Sequence, residues 1–207
     1  MGKDDMKEQL VALQQQVLSL QDVVLKQRQE RVVIFVDNTN LNLSTRKIDC
    51  TGCYRLDYSA LAKTLTGNRF LKQCRIYYSD YAKGAAPNAT EETRRGEREN
   101  FYTWLHHQGF WLKSCSLVER DGITKEKGLD AAITKDIQRL CQLNVCDTII
   151  LISGDADYCE TVEEVRAYYA IRAEVAFFGE YTAKKLKEAA SEFIDLTRLK
   201  DSLRRSN

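Results

Sequence analysis

The sequence predicts an α/β domain built on a central, mostly parallel sheet and preceded by a separate coiled-coil helix. Three observations carry this. From Arg31 onward, short apolar runs alternate with helical stretches, the pattern of βαβ units. The runs are nearly continuous in Val, Ile and Leu, as in strands covered on both faces. The first thirty residues follow a different period. There Met6, Leu10, Leu13, Val17, Leu20 and Val24 recur in steps of four and three, the spacing of a narrow seam between two helices.

Each element follows from its local pattern. In the N-terminal segment, Leu10, Val17 and Val24 occupy one heptad position and Met6, Leu13 and Leu20 the other, a pairing that leans towards a parallel homodimer through residues 6–24. The alternative is an amphipathic helix folded back onto its own domain. VVIFV (32–36) predicts a central strand. Tyr58 to Leu65 reads as a helix ending near Gly67, and CRIYYSD (74–80) as a second strand. Thr90 to Gln108 is a polar helix closed by Gly109, and FWLKSCSLV (110–118) a third strand. Gly128 to Leu143 is helical, TIILIS (148–153) a fourth strand, and Thr161 to Tyr169 helical. AEVAFFG (173–179) gives a fifth strand, Thr182 to Ser191 a helix, and FIDL (193–196) a short terminal element. The expected domains are 1–30, 31–200 and a basic tail at 201–207.

Composition narrows the function classes. The 207 residues carry 31 Lys and Arg against 30 Asp and Glu, so no dominant basic field exists and nucleic acid must be held by local patches. No run of about 18 apolar residues is present, so no membrane span is expected. The charged start MGKDDMKEQL does not read as a secretory signal, and seven irregularly scattered cysteines read as free thiols, both pointing to a cytoplasmic protein. No nucleotide cofactor is expected.

In parallel sheets, ligands gather outside the carboxyl ends of the strands. Asp37-Asn38-Thr39-Asn40 follows the first strand, Gly154-Asp155-Ala156-Asp157 follows TIILIS, and Lys127-Gly128-Leu129-Asp130 opens the long helix. Carboxylates crowded at one edge repel unless a cation joins them, and an all-oxygen set suits Mg²⁺ or Mn²⁺. The chemistry this predicts is metal-assisted phosphodiester hydrolysis. Asp and Asn also follow strands simply to cap helices and make turns. Two features favour a site: Asp155 and Asp157 fall within one tight turn, and Asp130 lies beside Gly128 in a first helical turn. Asp136 falls in the middle of the stripe made by Leu129, Ala132, Ile133, Ile137 and Leu140. It either supports the metal site or bonds backbone or a tyrosine hydroxyl.

FVDNTNLN (35–42), KGLDAAITKDIQRL (127–140) and ILISGDADY (150–158) together resemble the NYN domain family (the LabA/DUF88 group) of PIN-like ribonucleases, over most of residues 32–197. SGDADY is the most specific piece. The sequence departs at Asn38-Thr39, where relatives often carry a Gly and an acidic or aromatic residue. The resemblance implies a PIN-like three-layer sandwich and a divalent-metal nuclease acting on RNA, leaving a 5′-phosphate and a 3′-hydroxyl. By the same resemblance Asp37, Asp130 and Asp155 hold metal, directly or through water. Asp157 completes the site as ligand or supporting group, Asn40 and Ser153 orient carboxylates or touch phosphate, and Lys127 neutralises phosphate charge.

Candidate RNA contacts are Arg94, Arg95 and Arg98, although Glu91, Glu92, Glu97 and Glu99 interleave with them as in an ion-paired exposed helix. Lys184, Lys185 and Lys187 form a second patch, and Arg198, Lys200, Arg204 and Arg205 a third. Tyr77, Tyr78 and Tyr81 are positioned either to stack on bases or to fill the core. Cys50 and Cys53 have zinc-knuckle spacing but lack a second close pair, and His106-His107 ends a helix, where a dipole-facing role is the simpler one. Two other functions fit the same pattern. One is a dimeric regulatory or RNA-binding module with little turnover; the other is a metal-dependent phosphatase on small esters.

Overall fold

The computed structural model describes residues 3–48, 55–120, 123–126 and 128–205. The chain divides into two compact units, residues 1–30 and residues 31–207. The first is a single helix, α1 (Lys3–Arg28). Its residues Leu10, Leu13, Val17 and Leu20 are all exposed.

The second unit is a seven-stranded sheet between two layers of helices. The strands are β1 (Arg31–Asp37), β2 (Phe70–Asp80), β3 (Trp111–Arg120), β4 (Ile123–Glu126), β5 (Thr148–Ile152), β6 (Arg172–Phe177) and β7 (Glu192–Asp195). Their order across the sheet is β4-β3-β2-β1-β5-β6-β7. Six strands run parallel, and β4 pairs antiparallel with β3.

β1 takes the centre because it is apolar on both faces, and Val32 to Val36 are fully buried. Period-2 alternation divides it: Val32, Ile34 and Val36 face one core, Val33 and Phe35 the other. The first core is closed by α2 (Asn38–Ile48), α3 (Tyr58–Thr66) and α4 (Ala89–His107). The second is closed by α5 (Leu129–Gln142), α6 (Cys159–Tyr168) and α7 (Lys184–Ala189). In α5, Leu129, Ile133, Ile137 and Leu140 lie on the sheet as their spacing requires.

Three local features depart from the sequence reading. The stretch after Asp37, to which the sequence pattern assigns no element, is a helix. Its buried positions Asn38, Leu41, Ser44 and Thr45 have helical spacing but are mostly polar, so no apolar period marks it. β2 begins at Phe70, four residues before the predicted Cys74, because Phe70 to Gln73 pair with β1 or continue its ladder while remaining largely exposed. β4 was not predicted; its four residues, ITKE, carry no apolar run.

From β1 the chain builds the sheet outward through β2 and β3, then returns to place β5 on the other side of β1. The carboxyl ends of β1 and β5 therefore flank a topological switch point, where open α/β sheets bind ligands.

Candidate functional site

Asp37 closes β1 at this switch point and is only 3% exposed. One carboxylate oxygen accepts the Asn40 N–H at 2.9 Å, which starts α2. The other accepts from the Ser153 hydroxyl at 3.3 Å and the Tyr158 hydroxyl at 3.2 Å. Asn40 in turn accepts the Gly154 N–H at 3.0 Å, tying the start of α2 to the end of β5. Gly154 admits no side chain, since a Cβ there would stand 2.2 Å from the Tyr181 carbonyl oxygen.

Beyond Gly154 the chain turns sharply. The Asp155 N–H donates to the Ser153 hydroxyl at 3.2 Å, and the Asp155 carboxylate accepts the Asp157 N–H at 3.1 Å. That bond caps a 3-10 turn, Ala156–Tyr158, which leads into α6. Asp157 is exposed. Asp130 comes from a different direction, in the first turn of α5. Gly128 precedes it in the left-handed region (φ 70°) and the helix has no side-chain cap. Asp130 is exposed, and its carboxylate accepts from the Tyr158 hydroxyl at 2.9 Å. Asp37 and Asp155 thus perform the capping jobs that acidic residues do after strands, whereas Asp130 caps nothing.

The electrostatics are those of uncompensated acids. Burial pushes the Asp37 carboxyl up to about 6; the neighbouring charges of Asp130 and Glu126 reinforce the rise, and the bonds from Asn40 and Tyr158 oppose it. Burial, with the carboxylates beside it, holds the Tyr158 phenol far above its ordinary range and therefore neutral. Glu126, at the end of β4, has an oxygen, Oε2, that is buried without a hydrogen-bond partner. A buried acceptor left so is costly unless a cation or water completes it. Sequence reasoning did not single out Glu126 or Tyr158. Glu126 lies in a short polar stretch, and its role depends on the β3–β4 pairing of Leu117 with Glu126. In the sequence Tyr158 stands out only as the last residue of SGDADY.

Asp37, Asp130, Asp155 and Glu126 are the residues that could hold a divalent cation, an all-oxygen donor set of the kind Mg²⁺ and Mn²⁺ prefer. Among the described residues no three acids, thiols or imidazoles already stand in chelating positions. The fit rests on the orphaned Glu126 oxygen and on the elevated Asp37 carboxyl, which both call for positive charge.

The other sequence-predicted residues are placed as follows. Asp136 accepts from the Tyr77 hydroxyl at 2.9 Å and from Lys113 at 3.1 Å, and faces Arg75 at 3.6 Å. Arg75 stacks on Trp111. Asn38 is buried and joins two helices, accepting from the Tyr58 hydroxyl and donating to the Tyr102 hydroxyl at 2.9 Å. Arg95 is buried against Glu92 and Glu99, and Arg98 is committed to Asp80 and Glu91. Arg94 remains largely exposed, 3.7 Å from Glu91. Lys184 is exposed and 3.6 Å from Glu188, while Lys185 is exposed and close enough to Cys159 to influence its thiol, as Asp155 and Asp157 do. Lys187 donates to the Gly179 carbonyl. Lys127, Cys50 and Cys53 lie outside the described residues.

A groove of about 290 Å³ opens at the carboxyl ends of β2 and β3, lined by Tyr78, Tyr81, Arg95, Ser114, Cys115 and Ser116 among others. Its wall is shared with the acidic cluster, since the Cys115 thiol faces the Gly128 carbonyl and is influenced by Glu126 and Asp130.

A three-layer sandwich with acidic residues gathered at the switch of a parallel sheet is the architecture of PIN-like nucleases. The chain belongs to the NYN domain family, whose model matches residues 31–197. A crystal structure of a protein of unknown function from Vibrio parahaemolyticus shares the fold, with a TM-score of 0.64 at 22% identity, over 81% of this chain and 93% of that one. No curated protein matches the chain by sequence.

Proposed function

We propose that this protein is a divalent-metal-dependent ribonuclease whose site is built from Asp37, Asp130 and Asp155, with Asp157 at its rim. One observation carries the reading: the buried Asp37 shares the Tyr158 hydroxyl with Asp130 and feels the charges of Asp130 and Glu126, and among the described residues no lysine or arginine pairs with any of the three. Bound there, Mg²⁺ or Mn²⁺ would polarise the scissile phosphate and lower the pKa of the attacking water. The chain's own contribution is placement. Asn40 and Ser153 fix the Asp37 carboxylate, and the turn from Ser153 to Asp157 fixes Asp155.

The adjoining groove, lined by Asp80 and Glu99 as well as by the Tyr78 ring and the Ser114 and Ser116 hydroxyls, extends the surface beside the acidic cluster and so supports a polymeric substrate. Arg94, Lys184 and Lys185 are exposed and would meet the phosphate backbone. The five described cysteines are unbridged, in keeping with a cytoplasmic setting. The exposed seam of Leu10, Leu13, Val17 and Leu20 supports a parallel homodimer through α1. Sedimentation should then give a dimer mass for the wild type and a monomer mass for the double variant Leu13→Lys, Leu20→Lys.

The decisive experiment is cleavage of labelled single-stranded and hairpin RNA in Mn²⁺, Mg²⁺ or EDTA by the wild type and Asp155→Asn. Metal-dependent cleavage that the variant loses is expected. Equal cleavage and equal Mn²⁺ binding by Asp37→Asn and Asp155→Asn would overturn the site. Turnover of small phosphate esters but not RNA would make the protein a phosphatase. RNA binding without cleavage would make it a binding module.

A further inference from the structure

We infer that Tyr158 is a positioning residue of the acidic site, its hydroxyl fixing the Asp130 carboxylate relative to Asp37. The inference rests on the metal-site reading above.

The geometry joins three distant segments at one oxygen atom. Tyr158 closes the turn after β5, Asp37 ends β1, and Asp130 opens α5; the phenol lies 3.2 Å from the first carboxylate and 2.9 Å from the second. The Tyr158 ring is fully buried in the core beneath α5 and α6, so the hydroxyl is carried on a rigid support. A phenol has one proton to donate, and here both of its hydrogen-bonding neighbours are carboxylates. It can therefore serve the pair only by being shared between them.

The two carboxylates depend on it unequally. Asp37 is also held by Asn40 and Ser153. Asp130 is exposed, caps no helix, and among the described residues its carboxylate has no other hydrogen bond. Without the phenol, an exposed aspartate in a first helical turn is free to change rotamer into solvent. Packing alone does not explain the hydroxyl, because a phenylalanine ring would fill the same space without placing a polar atom among acids. The hydroxyl does what outer groups do at metal centres, orienting a ligand that would otherwise wander.

The test measures Mn²⁺ binding to the full chain by calorimetry, without RNA, for the wild type, Tyr158→Phe, Asp130→Asn and the double variant. Tyr158→Phe is expected to weaken Mn²⁺ binding by about 10-fold or more, the usual range for such supporting groups. Its melting temperature in EDTA should fall by no more than the few degrees expected for one lost hydrogen bond, and the electron paramagnetic resonance spectrum of its bound Mn²⁺ should change. In the Asp130→Asn background, Tyr158→Phe should have a much smaller effect, because only its bond to Asp37, which Asn40 and Ser153 also hold, is then lost. Wild-type affinity in Tyr158→Phe would overturn the inference. So would an equal loss with and without Asp130. Should Tyr158→Phe fail to fold, Asp130→Glu leaves the core ring in place and carries the carboxylate away from the phenol. It should lose comparable affinity, and wild-type affinity there would likewise overturn the inference. Failure of the wild type to bind Mn²⁺ would sink the metal site and this inference together. Mn²⁺ binding with the tyrosine effect intact, but no RNA cleavage, would sink the ribonuclease reading alone.

Discussion

Two carboxylates in this domain are equally buried, and they behave in opposite ways. Asp37 and Glu174 are each 3% exposed, one at the carboxyl end of β1 and the other near the start of β6. Burial raises the pKa of both. For Glu174 the rise is overcome by Arg69, whose guanidinium makes two bonds of 2.7 and 3.0 Å, and by Arg172 at 2.7 Å, so the net shift is downward. For Asp37 the charged neighbours are Asp130 and Glu126, and the carboxyl rises to about 6. Burial is common to both; the sign of the neighbours separates a carboxylate held in an ion pair from one set among other acids.

The largest expected difference is in activity. Asp155→Asn should reduce metal-dependent RNA cleavage by about 10²-fold or more, while Glu174→Gln leaves the cleavage rate of folded protein near wild type. Single-turnover assays on both variants check this, and comparable losses would erase the distinction between the two ends of the sheet.

Stability should divide them next, with opposite signs. Glu174→Gln leaves Arg69 without its carboxylate and Arg172 with Glu192 alone, and should destabilise the protein by about 3 kcal/mol at pH 7. Because the native Glu174 pKa is lowered, that stabilisation is present above the unfolded value and is lost as pH falls through the native one. Asp37→Asn should do the reverse. The native pKa of Asp37 is raised from 3.8 to about 6, so the wild-type contribution is fully present below the unfolded value and disappears as pH rises through the native one. In EDTA the asparagine variant should therefore be more stable than wild type by about 2–3 kcal/mol at pH 8, with the gap closing below about pH 4. Urea titrations across pH 4–8 measure both, and parallel pH profiles for the two variants would break the comparison.

The smallest effect sharpens it within the site. Ser153→Ala removes one of three groups that bond the Asp37 carboxylate, leaving Asn40 and Tyr158. A cost of about 1 kcal/mol in stability is expected, with a several-fold fall in Mn²⁺ affinity. Thermal melts and calorimetry on the same variant report the two separately.

Much of the fold was legible because its signals are local. Five of the seven strands announce themselves as apolar runs or nearly so, and the stripe on α5 is plain in its spacing. α2 was hidden because its buried face is made of Asn38, Ser44 and Thr45 with Leu41, residues whose burial is tolerable only where partners meet them. The Tyr58 and Tyr102 hydroxyls meet Asn38 from two other helices, a meeting no window of sequence displays. β4 was hidden because one isoleucine and three polar residues form a strand only when β3 is there to pair with them.

The candidate site divides in the same way. Asp37, Asp155 and Asp157 follow apolar strands directly, and Asp130 follows a glycine at a helix start, so position in the chain was enough to single them out. Glu126 has no local signature, and Tyr158 sits in the SGDADY motif without any sign that its hydroxyl reaches Asp37 and Asp130. For Arg95 and Arg98 the sequence showed cations beside acids; the structure commits them to Glu92, Glu99, Asp80 and Glu91.

By itself the sequence determined the order of the apolar strands and of the helices other than α2, the parallel sheet and the acids that follow its strands, since burial periodicity and strand-end position are properties of consecutive residues. Tertiary structure alone decided which carboxylates face one another and which face arginine. It also decided that one buried phenol joins Asp37 to Asp130. Those outcomes depend on distances between residues about 30 to 120 positions apart, and the charge state of a buried acid is set by whatever the fold brings beside it.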